Sequence, residues 1–405
     1  MSFNKTFGSM LIIAGTTIGA GMLALPLASA GLGFTTSILI MIGMWALMSY
    51  TALLMLEVHQ YADKSATLHT LAYKLLGRKG QVIASGAMLF LFYALCAAYI
   101  AGGGAQLHQK IQSLHVDIAP QIATVVFTFV IASVVAIGTH SVDIVNRVLF
   151  TAKIIAMAVM LALLLPQVKS HNLLEMPMQQ GLIISALPVV FTSFGFHGSI
   201  PSIVRYLGLN IPNLKKVMIF GSALPLIVYL LWQLATQGIL SQSELLANTD
   251  LTQFINALSQ RLHNPLVGQS VSLFADLALA TSFLGVSLGL FDFLADTLRR
   301  KATLAGRVQT ACVTFIPPLA FALFYPQGFI MALGYAAIAL VILAIFLPVA
   351  MVWQQRKLQV NLTQKNSTHY RVIGGKLALI AVIVIGIIII LSQLLQMIGV
   401  IPKLG

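Results

Sequence analysis

The sequence predicts an all-α polytopic membrane protein with eleven spanning helices. Three observations predict it. Of 405 residues, 59% are hydrophobic and only 8% charged, against about 25% charged in a soluble domain. The apolar residues gather into runs of roughly 20, the length that crosses hydrocarbon as a helix, with no alternating pattern of the kind that builds a membrane barrel. The basic residues fall almost entirely on alternate connections between those runs.

The spans, read as apolar runs bounded by charge or turn residues, are 7–29, 33–58, 80–104, 119–139, 147–166, 181–206, 216–238, 268–297, 308–325, 328–352 and 374–398. The first opens just after Lys5, and the second ends at Glu57 and His59, read as interfacial. Between the second and third, Leu68, Leu71, Ala72, Leu75 and Leu76 recur at helical spacing within 61–80, which predicts a helix lying at the membrane surface. Asp143 and Arg147, four apart, form an i,i+4 pair where the fifth begins. The connection 239–267 carries Glu244, Asp250 and Arg261 and is expected outside the membrane and partly helical. With the N-terminus inside, all of the 23 Lys and Arg except Lys110, Lys169, Arg261 and Lys403 fall at or near the cytoplasmic side. The eleventh span then leaves the C-terminus periplasmic. The net charge of +13 faces the cytoplasm and anionic headgroups rather than nucleic acid. Cys96 and Cys312 lie in apolar runs and read as small hydrophobes. No spacing suits a metal, and no cofactor is called for.

Two spans contain residues that weaken helices. GTTIGAGMLALP (15–26) places Gly15, Thr16, Thr17, Gly19, Gly21 and Pro26 in the first, and FTSFGFHGSIPS (191–202) places Gly195, Gly198 and Pro201 in the sixth. A single such cluster is accounted for by close packing through small residues. Two of them, five spans apart, are not, because five is odd and the sixth span enters from the opposite side. Residues 1–166 and 181–352 then form inverted repeats of five helices within one domain, with 374–398 appended. Paired interruptions of this kind point to a transporter's binding site. A break near the bilayer midplane frees backbone groups that only a cavity or a ligand can satisfy. The amides of Ile18, Gly19, Ala20 and Gly21 stand at a helix N-terminus and suit a carboxylate. The carbonyls near Phe194 and Gly195 suit an ammonium.

GSMLIIAGTTIGAGMLALPLASAGLGF, FTSFGFHGSIPSIV and LFADLALATSFLGVSLGLFDFLAD resemble the hydroxy and aromatic amino acid permease family of the amino acid-polyamine-organocation superfamily, and the resemblance covers essentially the whole chain. It implies a LeuT-like carrier of the bacterial inner membrane that imports an aromatic amino acid, tyrosine foremost, with protons. By analogy with such carriers, Lys153 takes the place of a coupling cation, with carbonyls of the first break and the hydroxyls of Thr281 or Ser282 as partners. The alternative for Lys153 is a side chain reaching the cytoplasmic headgroups. His197 is a second proton carrier, a partner for a substrate hydroxyl, or a neutral side chain satisfying a freed backbone group.

Asp276 and Asp292 are about 24 Å apart along the eighth span and cannot share a site. Each is a candidate gate or charge partner, the first near the outer side and the second near the inner. Asp296 reads as interfacial beside Arg299 and Arg300. Phe191, Phe194, Phe196, Tyr93, Tyr99, Phe283 and Phe291 are available to line an aromatic pocket, and Ser193, His197 and Ser287 to meet a phenol. Tryptophan or broad aromatic transport, and sodium coupling, remain open on these residues. An intramembrane enzyme is disfavoured, because no nucleophile and base converge. The oligomeric state is not set by the sequence.

Overall fold

The computed structural model describes residues 2–64, 66–175, 181–248, 250–262, 265–298, 303–361 and 370–402, and all regular structure among them is helical. Among the described residues, ten helices are long and apolar enough to cross a membrane, and one bent pair raises the number to as many as eleven. The chain is therefore a multi-pass membrane protein. Large apolar side chains such as Leu39, Phe129, Ile137, Val148 and Phe324 point outward, as lipid contact requires.

The bent pair is α1 (Ser2–Thr17) and α2 (Ala20–Ala28), which meet at 55°. Next come α3 (Phe34–His59) and α4 (Leu68–Ser113). The surface helix and the third span form one continuous element, α4, kinked at Gly77, whose φ of 68° and ψ of −163° break the helical path. Two further spans follow, α5 (Pro120–Ile137) and α6 (Thr139–Leu164). α6 begins eight residues before the expected boundary, because the polar turn holding Asp143 and Arg147, paired at 2.9 Å, continues the helix.

After the short α7 (Ser170–Leu173), the sixth span consists of α8 (Gly181–Ser193), a 3₁₀ turn at His197–Ser199, and α9 (Ile200–Leu207). The long α10 (Ile211–Ile239) leads to two surface helices, α11 (Gln242–Ala247) and α12 (Leu251–Leu262). Ser241 caps α11 reciprocally with Glu244. Burial raises the Glu244 pKa, but the bonds it accepts from the Ser241 amide and hydroxyl outweigh that and hold the carboxyl below its usual range. α13 (Pro265–Thr297), α14 (Leu304–Phe324) and α15 (Phe329–Val341) follow. α15 passes through a π turn at Ile342–Phe346 into α16 (Leu347–Asn361), and α17 (Gly375–Met397) closes the chain.

α2 packs on α8, α10 on α1 and α3, and α13 on α6 and α4, so both interrupted spans lie inside the bundle. Glu57 and His59, expected at the interface, are buried at 3% and 0% exposure. Arg356 on α16 folds over Glu57 and replaces the water an interfacial carboxylate would use. Arg299, Arg300, Lys301, Lys365 and Lys403 lie outside the described residues.

Candidate functional site

Both interruptions free backbone groups, and their partners can be followed one by one. In α1 the ladder persists to Ile18, whose amide donates to Ala14 O at 2.8 Å. Ile18 N–H is thus engaged, and the break opens one residue later than the glycines suggest. The Ala20 amide donates to Ser282 Oγ on α13 at 3.1 Å. Met22 N–H turns back to Gly19 O at 3.1 Å. The Gly19 and Gly21 amides make no hydrogen bond among the described residues.

Four carbonyls of the first break are taken up by side chains, three of them by Lys153, Tyr229 and Trp232. Ile18 O accepts from Lys153 Nζ at 2.8 Å. Thr17 O accepts from the Tyr229 hydroxyl at 2.6 Å. Met22 O loses its helical donor because Pro26, four residues on, has no N–H, and Trp232 Nε1 supplies one at 3.0 Å.

At the second interruption the Phe194 and Gly195 amides form tight turns to Phe191 O and Thr192 O, both at 3.1 Å. Ser193 O accepts from the same Tyr229 hydroxyl at 2.8 Å. The single hydroxyl proton of Tyr229 is therefore shared between the two breaks. Tyr229 is fully buried and stands edge-on to Phe194, with ring centroids 5.1 Å apart. Ser193 Oγ donates to Gly21 O at 3.1 Å, joining the breaks a second time. No hydrogen bond reaches Phe194 O or Gly195 O among the described residues. Among the described residues, two amides at the first break and two carbonyls at the second are thus left without a hydrogen bond.

Lys153 is 2% exposed and lies 4.8 Å from the Phe150 ring. A side chain at Gly15 would meet that ring at 2.9 Å, so glycine is what lets α6 approach α1 here. Thr281 bonds its own helix, at Leu277 O and Ala278 O. Ser282 serves Ala20, and a Cβ on Gly19 would stand 2.5 Å from its Oγ. Neither hydroxyl bonds Lys153. Thr16 and Thr17 donate back to Ile12 O and Ile13 O. His197 is buried, with Nε2 2.9 Å from Thr51 Oγ1 on α3 and Nδ1 without a partner.

Phe191, Phe194, Phe196, Phe283 and Phe291 are buried, whereas Tyr93 donates to Val313 O at the rim. Ser287 is spent on Phe283 O. Asp276 pairs with Lys110 near the C-terminal end of α4, and Asp292 is exposed far along α13. Neither joins the breaks. Sequence reasoning missed Tyr229, Trp232 and Thr51. Pro26 announces an orphaned Met22 carbonyl, but no pattern in the sequence names its distant donor.

The model of the tryptophan/tyrosine permease family matches residues 2–393. The chain is 46% identical to Tyrosine-specific transport system 1 of Haemophilus influenzae, over 95% of this chain and 96% of that one. It is 43% identical to Tyrosine-specific transport system 2 of the same organism, over 98% of each. It is 35% identical to the Tryptophan-specific transport protein of that organism, over 96% of this chain and 95% of the other.

Proposed function

The chain belongs to the tryptophan/tyrosine permease family, and from that membership we propose that it imports L-tyrosine across the bacterial inner membrane by proton-coupled alternating access. The family is one of permeases, so the chain is a transport protein and not an enzyme. Tyrosine as cargo rests on the names of the two relatives above 40% identity. The N-terminus is proposed inside, on the distribution of Lys and Arg.

In this reading α1–α2 and α8–α9 are the corresponding interrupted spans of two inverted five-helix repeats in a LeuT-like arrangement, with α17 appended. The observation that carries it is the pairing of open backbone groups. The Gly19 and Gly21 amides, at the start of α2, receive the carboxylate of a zwitterion. The Phe194 and Gly195 carbonyls receive its ammonium. No buried Arg or Asp is then needed. The unbonded Nδ1 of His197 supports a ligand that carries a hydroxyl. Proton coupling is assigned to Lys153, an amine held on the carbonyl of the break itself. Loss of its proton would loosen that bond and with it the hold of α6 on α1.

The test is uptake of labelled tyrosine into proteoliposomes under an imposed pH gradient, with unlabelled tyrosine, tryptophan and phenylalanine as competitors. The expected result is competition by tyrosine far above the other two, because a site that bonds a hydroxyl rejects the analogue lacking it. Equal competition by all three would overturn tyrosine selectivity in favour of a broad aromatic carrier. Uptake that follows a sodium gradient, with no pH gradient and no membrane potential, would overturn proton coupling.

A further inference from the structure

Between the first part of α4, the π turn, α16 and α17 lies a groove of about 550 Å³, lined by Leu76, Phe346, Val349, Trp353, Ile383 and Ile387. Gln354 adds a polar side chain to the lining. At the π turn α17 packs closely. A Cβ on Gly386, between Ile383 and Ile387, would meet the Phe346 ring at 2.9 Å and Ile345 at 3.2 Å. α17 packs on α15 and the π turn, with sparse contact at α16, and the slot lies between α16 and α17 with Ile387 exposed at its edge. An apolar slot open to the bilayer is filled by what surrounds it, an acyl chain.

The chemistry of the rim specifies the lipid. α16 runs toward that rim and α17 starts from it. Lys357 lies one turn beyond Trp353, on the same face, and Lys376 lies two turns before Ile383. Arg78 and Lys79 follow Leu76 directly across the Gly77 kink. All four are exposed, and none has an ion-pair partner among the described residues. The neighbouring cations are engaged elsewhere, Lys74 by Tyr61 O and Arg356 by Glu57. α4, α16 and α17 contain no Asp or Glu along their lengths.

We propose that this groove seats an acyl chain of an anionic phospholipid of the inner leaflet, with its headgroup phosphate held by Lys357, Lys376 and Arg78. Basic pockets between spanning helices at the cytoplasmic side recognise such headgroups. The site is separate from the paired breaks and does not depend on what the protein carries.

Trp353 in the lining is the built-in probe. The full chain is reconstituted in phosphatidylcholine vesicles containing equal fractions of either brominated phosphatidylglycerol or brominated phosphatidylcholine, and tryptophan emission is read. The expected result is quenching by the anionic lipid at least about threefold stronger than by the neutral one. That excess should vanish in Trp353→Phe. It should fall to parity in the combined Arg78→Gln, Lys357→Gln, Lys376→Gln variant, and in the unmodified protein at high salt, where screening weakens the headgroup contact. Equal quenching by the two lipids in the unmodified protein overturns the proposal. So does an excess that survives Trp353→Phe or high salt.

Discussion

Lys153 and Tyr229 each hold a buried carbonyl of the first break, and they do so with different chemistry. Lys153 brings a titratable donor to Ile18 O at 2.8 Å. Tyr229 brings a neutral one that reaches Thr17 O and Ser193 O together. The two should therefore fail in different ways when replaced. Lys153→Gln keeps a donor of similar reach but cannot exchange a proton. Proton-driven accumulation of tyrosine is expected to be lost, with counterflow exchange retained, as read by labelled uptake in proteoliposomes with and without a pH gradient. Accumulation at the unmodified level would refute the role assigned to the ammonium. Tyr229→Phe keeps the ring against Phe194 but removes the proton shared by two buried carbonyls. An unsatisfied buried acceptor costs about 1–3 kcal/mol, so the thermal midpoint in detergent should fall, and exchange as well as accumulation should drop. A variant with an unchanged midpoint and unchanged exchange would show that the clasp between the breaks is dispensable.

Among the elements, α3, α16 and the stretch 370–373 that leads into α17 are tied into one unit. Arg356 makes a two-pronged pair with Glu57, at 2.7 and 2.8 Å. The Val372 amide donates to the same carboxylate at 2.8 Å. Gln60 exchanges hydrogen bonds with the backbone of Tyr370, at 2.6 and 3.0 Å. Lys215 of α10 lies over the Tyr370 ring at 4.9 Å. Burial pushes the Tyr370 hydroxyl up to about 12, so it stays neutral throughout the physiological range. Arg356→Gln would strand a carboxylate whose side chain is only 4% exposed, at a cost of about 3–5 kcal/mol. The expected outcome is a lower melting temperature and faster hydrogen exchange at 370–373. Exchange there at the unmodified rate would mean that the pair does not hold the strap. This unit also marks where sequence reading stops. Long apolar runs are legible because each span must satisfy its backbone alone. The stretches 15–26 and 191–202 were legible as weak helix from their glycines and prolines. The burial of Glu57 was not legible because its partner stands 299 residues away. Tyr229 and Trp232 read as ordinary apolar residues of α10, since only the folded bundle brings them to Thr17, Ser193 and Met22.

Across the whole molecule, burial differs on the two sides of the interruptions. In α2 every residue from Met22 to Ala28 is buried, as is Ala20, and α12 covers that side through Gln106–Thr252 and Gln109–Asn256 contacts at 3.1 and 2.5 Å. On the other side Thr16 of α1 and Ser202 and Arg205 of α9 are exposed. Polar side chains on helices that face lipid are costly, so an exposed stripe of Thr, Ser and Arg on two adjoining half-helices reads as the wall of a water-filled passage. Under the proposed orientation, this asymmetry is the one expected of a carrier closed to the periplasm and open to the cytoplasm. Thiol chemistry can test that assignment, because Cys96 is buried and Cys312 is the exposed native thiol. In a Cys312→Ser background, Thr16→Cys and Ser202→Cys should react with a membrane-impermeant thiol reagent at least about tenfold faster from the cytoplasmic face than from the periplasmic, if the inward-facing state dominates the ensemble. Ala24→Cys, on the buried outer half-helix, should react slowly from both. An inward proton gradient with external tyrosine drives turnover through outward-facing states, so it should slow Thr16→Cys and Ser202→Cys while quickening Ala24→Cys. Equal labelling from the two faces, or an Ala24→Cys rate that is indifferent to turnover, would mean that the asymmetric burial does not report a gate.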